Sequence, residues 1–128
     1  MIVNIDNLTY LLDENKKCAT VTKSLVPYSG DIVIPATVEY SGMLYPVADI
    51  LDEAFAECVA LRSVVIGENV ESIGIAAFEG CTMLSQVSFP LALHVIGMSA
   101  FKGCSALEEI VLPANVIVIG KNAFAIPK

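Results

Sequence analysis

The sequence predicts a short α/β repeat solenoid: a right-handed superhelix of mostly short β-strands joined by short helical turns, with a β-hairpin cap at its N-terminal end. Three observations predict it. The dipeptide Ala-Phe recurs at Ala54-Phe55, Ala77-Phe78, Ala100-Phe101 and Ala123-Phe124, each 23 residues after the last. Seven further columns keep that step, among them Cys58/Cys81/Cys104, Leu61/Leu84/Leu107, Ile73/Ile96/Ile119 and Gly74/Gly97/Gly120, and a fixed period of this length marks a stacked-repeat architecture. Hydrophobic residues form 55% of the 128-residue chain while aromatics form 7% and Trp is absent, so burial rests on many small repeated contacts rather than a few large anchors.

The elements follow in order. Leu8–Leu12, the polar run Asp13–Lys17, and Cys18–Thr22 read as a hairpin with a polar loop. Residues 1–31 are thus expected to cap the first rung, because an open β-edge invites pairing with other chains. Repeats are expected over 32–128. Ile32-Val33-Ile34-Pro35 has the strand-end pattern of Leu112-Pro113, but Ile34 lies 32 positions before Ile66, so a segment of about 39–46 is inserted. Its Ser41-Gly42 pair predicts a second hairpin turn, and Val38 and Val47 can each claim the Val70 column. The units then run about 58–80, 81–103 and 104–126, the last incomplete.

Within a unit, Leu61-x-x-Val64-x-Ile66 alternates as a strand does, Val64 and Ile66 facing inward and Ser63 and Val65 outward. Gly67, Pro90 and Pro113 end that strand. Val70 and Ile73 make a second crossing that stops at Gly74, a glycine suited to a positive φ. Ala76–Cys81 suits one or two helical turns. Such a unit cannot bury its apolar face alone, whereas rungs stacked about 4.8 Å apart join their faces into one core.

The pattern in Ala54-Phe55-Ala56-Glu57-Cys58-Val59-Ala60-Leu61-Arg62-Ser63-Val64-Val65-Ile66 and its two successors closely resembles the BspA-type leucine-rich repeat, a 23-residue variant of surface proteins from Bacteroides-like bacteria and some parasitic protists. The resemblance covers about Ile32 to Phe124. Gly67 replaces the usual Pro, Phe89 replaces the usual aliphatic, and the Asn-x-Leu step of commoner leucine-rich repeats is lacking. It implies a leucine-rich-repeat superhelix, a secreted or cell-surface location, and adhesion or host-protein binding.

Composition excludes other classes. Seven Lys and Arg against 14 Asp and Glu give a net charge of −7, which opposes a phosphate backbone, so no nucleic-acid partner is expected. Mean hydropathy is +0.71, yet no apolar run approaches the length of a membrane-spanning helix, so no membrane insertion is expected. The N-terminus lacks the features of a signal peptide, and a cytoplasmic location stays open beside an excised or mature segment.

Candidate chemistry is sparse. Cys58, Cys81 and Cys104 read as a column of buried free thiols, without a Cys-x-x-Cys pair or nearby His for a metal, and Cys18 as a residue of a cap strand. His94, the only histidine, has no nucleophile partner. Asp49, Asp52, Glu53 and Glu57 read as a solvated acidic face on one side of a helical turn, since calcium-loop spacings are absent. No catalytic residue, metal site or cofactor is therefore expected, and the chain reads as non-catalytic.

The candidate interaction surface comprises two sets of outward positions: Ser63, Val65, Gln86, Ser88, Glu109 and Val111 on the first strand run, and His94, Val95, Ile117 and Val118 on the second crossing. The second set grows apolar toward the C-terminus. One period beyond Cys104 stands Pro127, without a further strand or polar cap, so truncation or self-association through that edge is expected. A protein-interaction module is the favoured function. The alternatives are a spacer or capping module of a longer surface protein and a carbohydrate-binding accessory domain of an enzyme, although Tyr10, Tyr28, Tyr40 and Tyr45, its only large platforms, all lie toward the cap.

Overall fold

The computed structural model describes residues 1–125. The end of the last unit and Pro127 therefore lie outside the described residues. Strands β1 (Ile2–Ile5), β2 (Leu8–Asp13) and β3 (Cys18–Thr22) open the chain, followed by β4 (Gly30–Val33), β5 (Thr37–Tyr40) and β6 (Met43–Ile50). The repeats supply β7 (Leu61–Val65), β8 (Ser72–Ile73), β9 (Gln86–Ser88), β10 (Val95–Ile96) and β11 (Val118–Ile119).

The strands form two walls. The larger sheet runs β1-β2-β3-β6-β8-β10-β11 with β5 attached to β6, and the smaller one runs β4-β7-β9. Antiparallel pairing joins β1 to β2, β2 to β3, and β5 to β6; every pairing between successive rungs is parallel, with Ile50, Ile73, Ile96 and Ile119 in one register. Ser41 and Gly42 turn the β5–β6 hairpin with φ of 51° and 79°, the left-handed pair that a two-residue hairpin turn requires.

Two assignments came from pairing alone. Asp49 stands opposite Ser72 in β6 and β8, so Val47, not Val38, falls in the Val70 column; Val38 is buried opposite Tyr45. Strand β3 lies parallel to β6, with Ala19 opposite Val47 and Val21 opposite Ile50. It thus serves as an extra rung of the larger sheet, and Ala19 and Val21 are fully buried as the first members of two core columns.

The expected helical turns are corrected: no helix occurs among the described residues. The segments after β6, β8 and β10 are chains of tight turns. Ala77, Glu79 and Cys81 donate their amides three residues back, to Gly74, Ala76 and Phe78, at 3.2–3.3 Å. The alternating amides of Ala76, Phe78 and Gly80 donate instead to Met98, Ala100 and Lys102 of the next rung, at 2.7–2.9 Å. An α-helix satisfies its interior amides within itself, leaving none for a neighbouring rung. Left-handed residues at Ala76 (φ 56°) and Gly80 (φ 80°) break any helical run and turn alternate N–H groups outward to the stack.

The expected role of Gly74, Gly97 and Gly120 is corrected too, for none of them has a positive φ. The positive φ values fall two residues later, at Ala76, Ser99 and Asn122. What the glycines supply is closeness: a Cβ on Gly97 would sit 2.6 Å from the carbonyl carbon of Gly74 and 2.7 Å from the amide nitrogen of Ile75.

The core between the walls contains an aromatic stack. Phe55, Phe78, Phe101 and Phe124 lie 4.7, 4.9 and 5.3 Å apart between ring centroids, within 8° of parallel. Tyr28 begins it, 4.5 Å from Phe55, and its hydroxyl donates to Thr22 O (2.7 Å) while accepting from Thr9 N (3.1 Å). Those two bonds tie the strands β2 and β3 to the stack. Phe89 packs edge-on against Phe101 at 5.7 Å.

Candidate interaction surface

The smaller sheet presents two outward columns whose members are set by register: Asp31, Ser63 and Gln86 in one, and Val33, Val65 and Ser88 in the other. Strand alternation places these side chains on the face opposite the core. Asp31 organises the first column, accepting from Ser63 Oγ at 2.8 Å and from Arg62 at 3.5 Å. Both charges of that pair are well exposed, so it orders the surface more than it stabilises the fold. Val33 and Val65 remain exposed, leaving an apolar strip beside a polar one.

Glu109 and Val111 do not join this sheet. They were expected to extend its face, but residues 108–112 form no strand, and among the described residues no backbone hydrogen bond links them to β9. The reason is packing. Ile110, equivalent to the buried Val64, is 38% exposed, and a rung that does not bury its inward residue has little to hold it in register. A cleft of about 400 Å³ opens instead between β9 and this segment.

On the larger sheet, His94, Ile117 and Val118 are exposed and Val95 is half-buried. His94 O accepts the amides of Ile117 (2.8 Å) and Val118 (3.2 Å), which fixes one rung upon the next. The inward column changes character here: Ile73 and Ile96 are at most 1% exposed, whereas Ile119 is 52% exposed. Ile117 and the two residues of β11, Val118 and Ile119, are therefore exposed apolar neighbours at this edge. The two sets of candidate residues lie on different sheets and form two surfaces rather than one. Sequence reasoning missed Asp31, Arg62 and Val33 on the first surface; the match of Ile32–Pro35 to later strand ends was the signal that could have placed them.

Among the described residues the candidate chemistry serves the stack. Cys58, Cys81 and Cys104 are buried, and the thiols of Cys81 and Cys104 donate to Phe55 O (3.0 Å) and Phe78 O (3.1 Å) one rung back. Burial pushes the Cys58 thiol up, and the adjacent Cys104 thiol together with burial pushes Cys81 up. Cys81 and Cys104 bridge rungs through these bonds, and thiols held protonated, as Cys58 and Cys81 are, are poor nucleophiles. The acidic residues are not arrayed on a helical turn: Asp49 accepts from Ser72 Oγ and Asp52 from the Ile75 amide at 2.7 Å, so two of them brace the next rung. Among the described residues no three His, Cys, Asp or Glu side chains are grouped to hold a metal, and no helix is long and apolar enough to cross a membrane.

Comparison with known proteins agrees with this architecture. A leucine-rich cell surface protein of Faecalibacterium prausnitzii A2-165 is 33% identical with a TM-score of 0.84, over 97% of this chain and 34% of its own. A leucine-rich repeat protein from Bacteroides capillosus is 34% identical with a TM-score of 0.83, over 92% of this chain and 86% of its own. The T. pallidum leucine rich repeat protein is 26% identical with a TM-score of 0.72, over 98% of this chain and 67% of its own. The chain thus spans about a third of the F. prausnitzii protein. No curated protein matches it at a significant level. A family described as the BspA type leucine rich repeat region matches residues 45–127, which takes in the turn ladder, the Phe stack and the glycine column. By that match, and by the parallel 23-residue rungs that explain it, the chain belongs to the BspA-type leucine-rich repeat family.

Proposed function

We propose that the chain is a non-catalytic protein-interaction module of a bacterial surface protein, with adhesion or host-protein binding as its role. The observation that carries this reading is the outward face of the smaller sheet, where the ordered polar column Asp31, Ser63, Gln86 lies beside exposed Val33 and Val65. Adjacent polar and apolar strips are what a protein partner's surface can match. The surface location is supported by the F. prausnitzii relative, itself a cell surface protein. Residues 1–31 act as the cap of the array in this reading. The carbohydrate-binding alternative loses its platforms, because Tyr10, Tyr28 and Tyr45 are buried and Tyr40 is half-buried. Arrays of extracellular-matrix proteins and glycans, probed with the purified chain, test the reading. At least one protein is expected to be retained, with a tenfold or greater loss for Val65→Lys combined with Gln86→Lys. Retention by glycans alone would overturn it.

A second contact is proposed at the β11 edge, where Ile117, Val118 and Ile119 are exposed together and contiguous exposed apolar surface marks interfaces. Self-association through this edge predicts that Ile117→Glu with Val118→Glu leaves the circular dichroism spectrum unchanged and shifts the sedimenting species to monomer at high concentration. An unchanged sedimentation profile would count against the contact.

A further inference from the structure

The smaller sheet ends abruptly at β9. Successive backbone groups of a strand point to opposite sides, and Ser88 O accepts the Ile66 amide of the preceding rung at 3.0 Å. The N–H and C=O of Val87, one residue earlier, therefore face away from β7 toward the cleft of about 400 Å³ that separates β9 from residues 108–112. Among the described residues no backbone group bonds to them there. Buried or partly buried backbone groups without partners are costly, and an open edge of this kind templates an added strand.

The lining specifies what that strand should carry. Glu108 and Glu109 stand on the cleft, with Val87 and Val111 as its apolar contacts. The cation of this sheet, Arg62, is engaged by Asp31, and the whole chain carries a net charge of −7. An extended segment paired to β9 sends alternate side chains to the Val87 face and to the Gln86 face, with Glu108 and Glu109 lining the cleft opposite. From the open edge and its charge, we infer that β9 accepts an extended peptide of alternating apolar and basic residues as an added strand. This deepens the protein-interaction reading and rests on it.

An acetylated, amidated heptapeptide of alternating lysine and valine is the probe. At saturation it is expected to slow hydrogen exchange at the Val87 amide at least tenfold. Its affinity is expected to fall at least tenfold when Glu108→Lys and Glu109→Lys are combined, and equally when the peptide is N-methylated throughout. Both glutamates are exposed, so the variant keeps the fold, which its circular dichroism spectrum checks. Three results would overturn the inference: Val87 exchange unmoved by saturating peptide; equal affinity of the N-methylated peptide, which reduces binding to surface charge; or concentration-dependent protection of Val87 without peptide, which makes a second copy the occupant. Retention on the protein array with no peptide binding sinks this inference alone, whereas loss of both sinks the interaction reading as well.

Discussion

Gly97→Ala is expected to abolish the cooperative unfolding transition of the chain or to move it to far lower urea, as followed by far-ultraviolet circular dichroism. The added methyl would lie 2.6 Å from Gly74 C, 2.7 Å from Gly74 O and 2.7 Å from Ile75 N. All three are backbone atoms, so no side chain can rotate away and the rungs themselves must separate. Separation also strains the bonds that stack them, including Gly97 N to Ile73 O at 2.8 Å and Ala76 N to Met98 O at 2.9 Å. Overpacking costs about 1–3 kcal/mol on its own, and each lost hydrogen bond adds roughly 1 kcal/mol, against a total stability of about 5–15 kcal/mol for a domain. Gly30→Ala is the control. Gly30 has φ +70° but nothing within 4 Å of an added Cβ, so its cost is conformational only, about 1 kcal/mol. Equal transitions for the two variants would show that rung spacing is not what the glycine column protects.

Phe78→Ala is expected to destabilise the chain by about 3–5 kcal/mol, the cost of emptying a large core site, with a further ~0.5–1.5 kcal/mol for each aromatic pair lost. Phe78 is fully buried and lies between Phe55 and Phe101, so two pairs are lost at once. The position also matters. Each rung of a repeat protein contacts only its neighbours, so a gap at Phe78 uncouples the rungs on either side. Phe124 stacks on Phe101 and is half-buried. Phe124→Ala should therefore cost at least ~2 kcal/mol less, given the smaller burial lost. Urea denaturation of the pair measures the difference, and equal costs would mean the stack does not act through rung-to-rung contact.

The inward columns were legible because a repeat writes each core contact several times. Leu61/Leu84, Ile73/Ile96 and the three buried cysteines stand where the period puts them. The turns were not legible: Ala76–Cys81 satisfies a helical pattern locally, and only amides donated to Met98, Ala100 and Lys102 show why it does not become a helix. The geometry of the candidate surface was partly legible. Ser63, Val65, Gln86 and Ser88 stand on the smaller sheet as strand alternation requires, whereas Glu109 and Val111, at equivalent positions, leave it.

The sequence by itself determined the period, the family, and most of the residues that face inward in the units before Cys104, because these follow from residue types that recur at fixed offsets. Only the tertiary structure decided that β3 is a rung, that Val47 rather than Val38 enters the core column, that glycine serves closeness instead of a turn, and that the smaller sheet stops at β9. The physical reason is that backbone hydrogen bonds and rung spacing depend on what lies on both sides of a rung. That neighbour is a non-local fact which the identity of a residue, however regularly repeated, does not record.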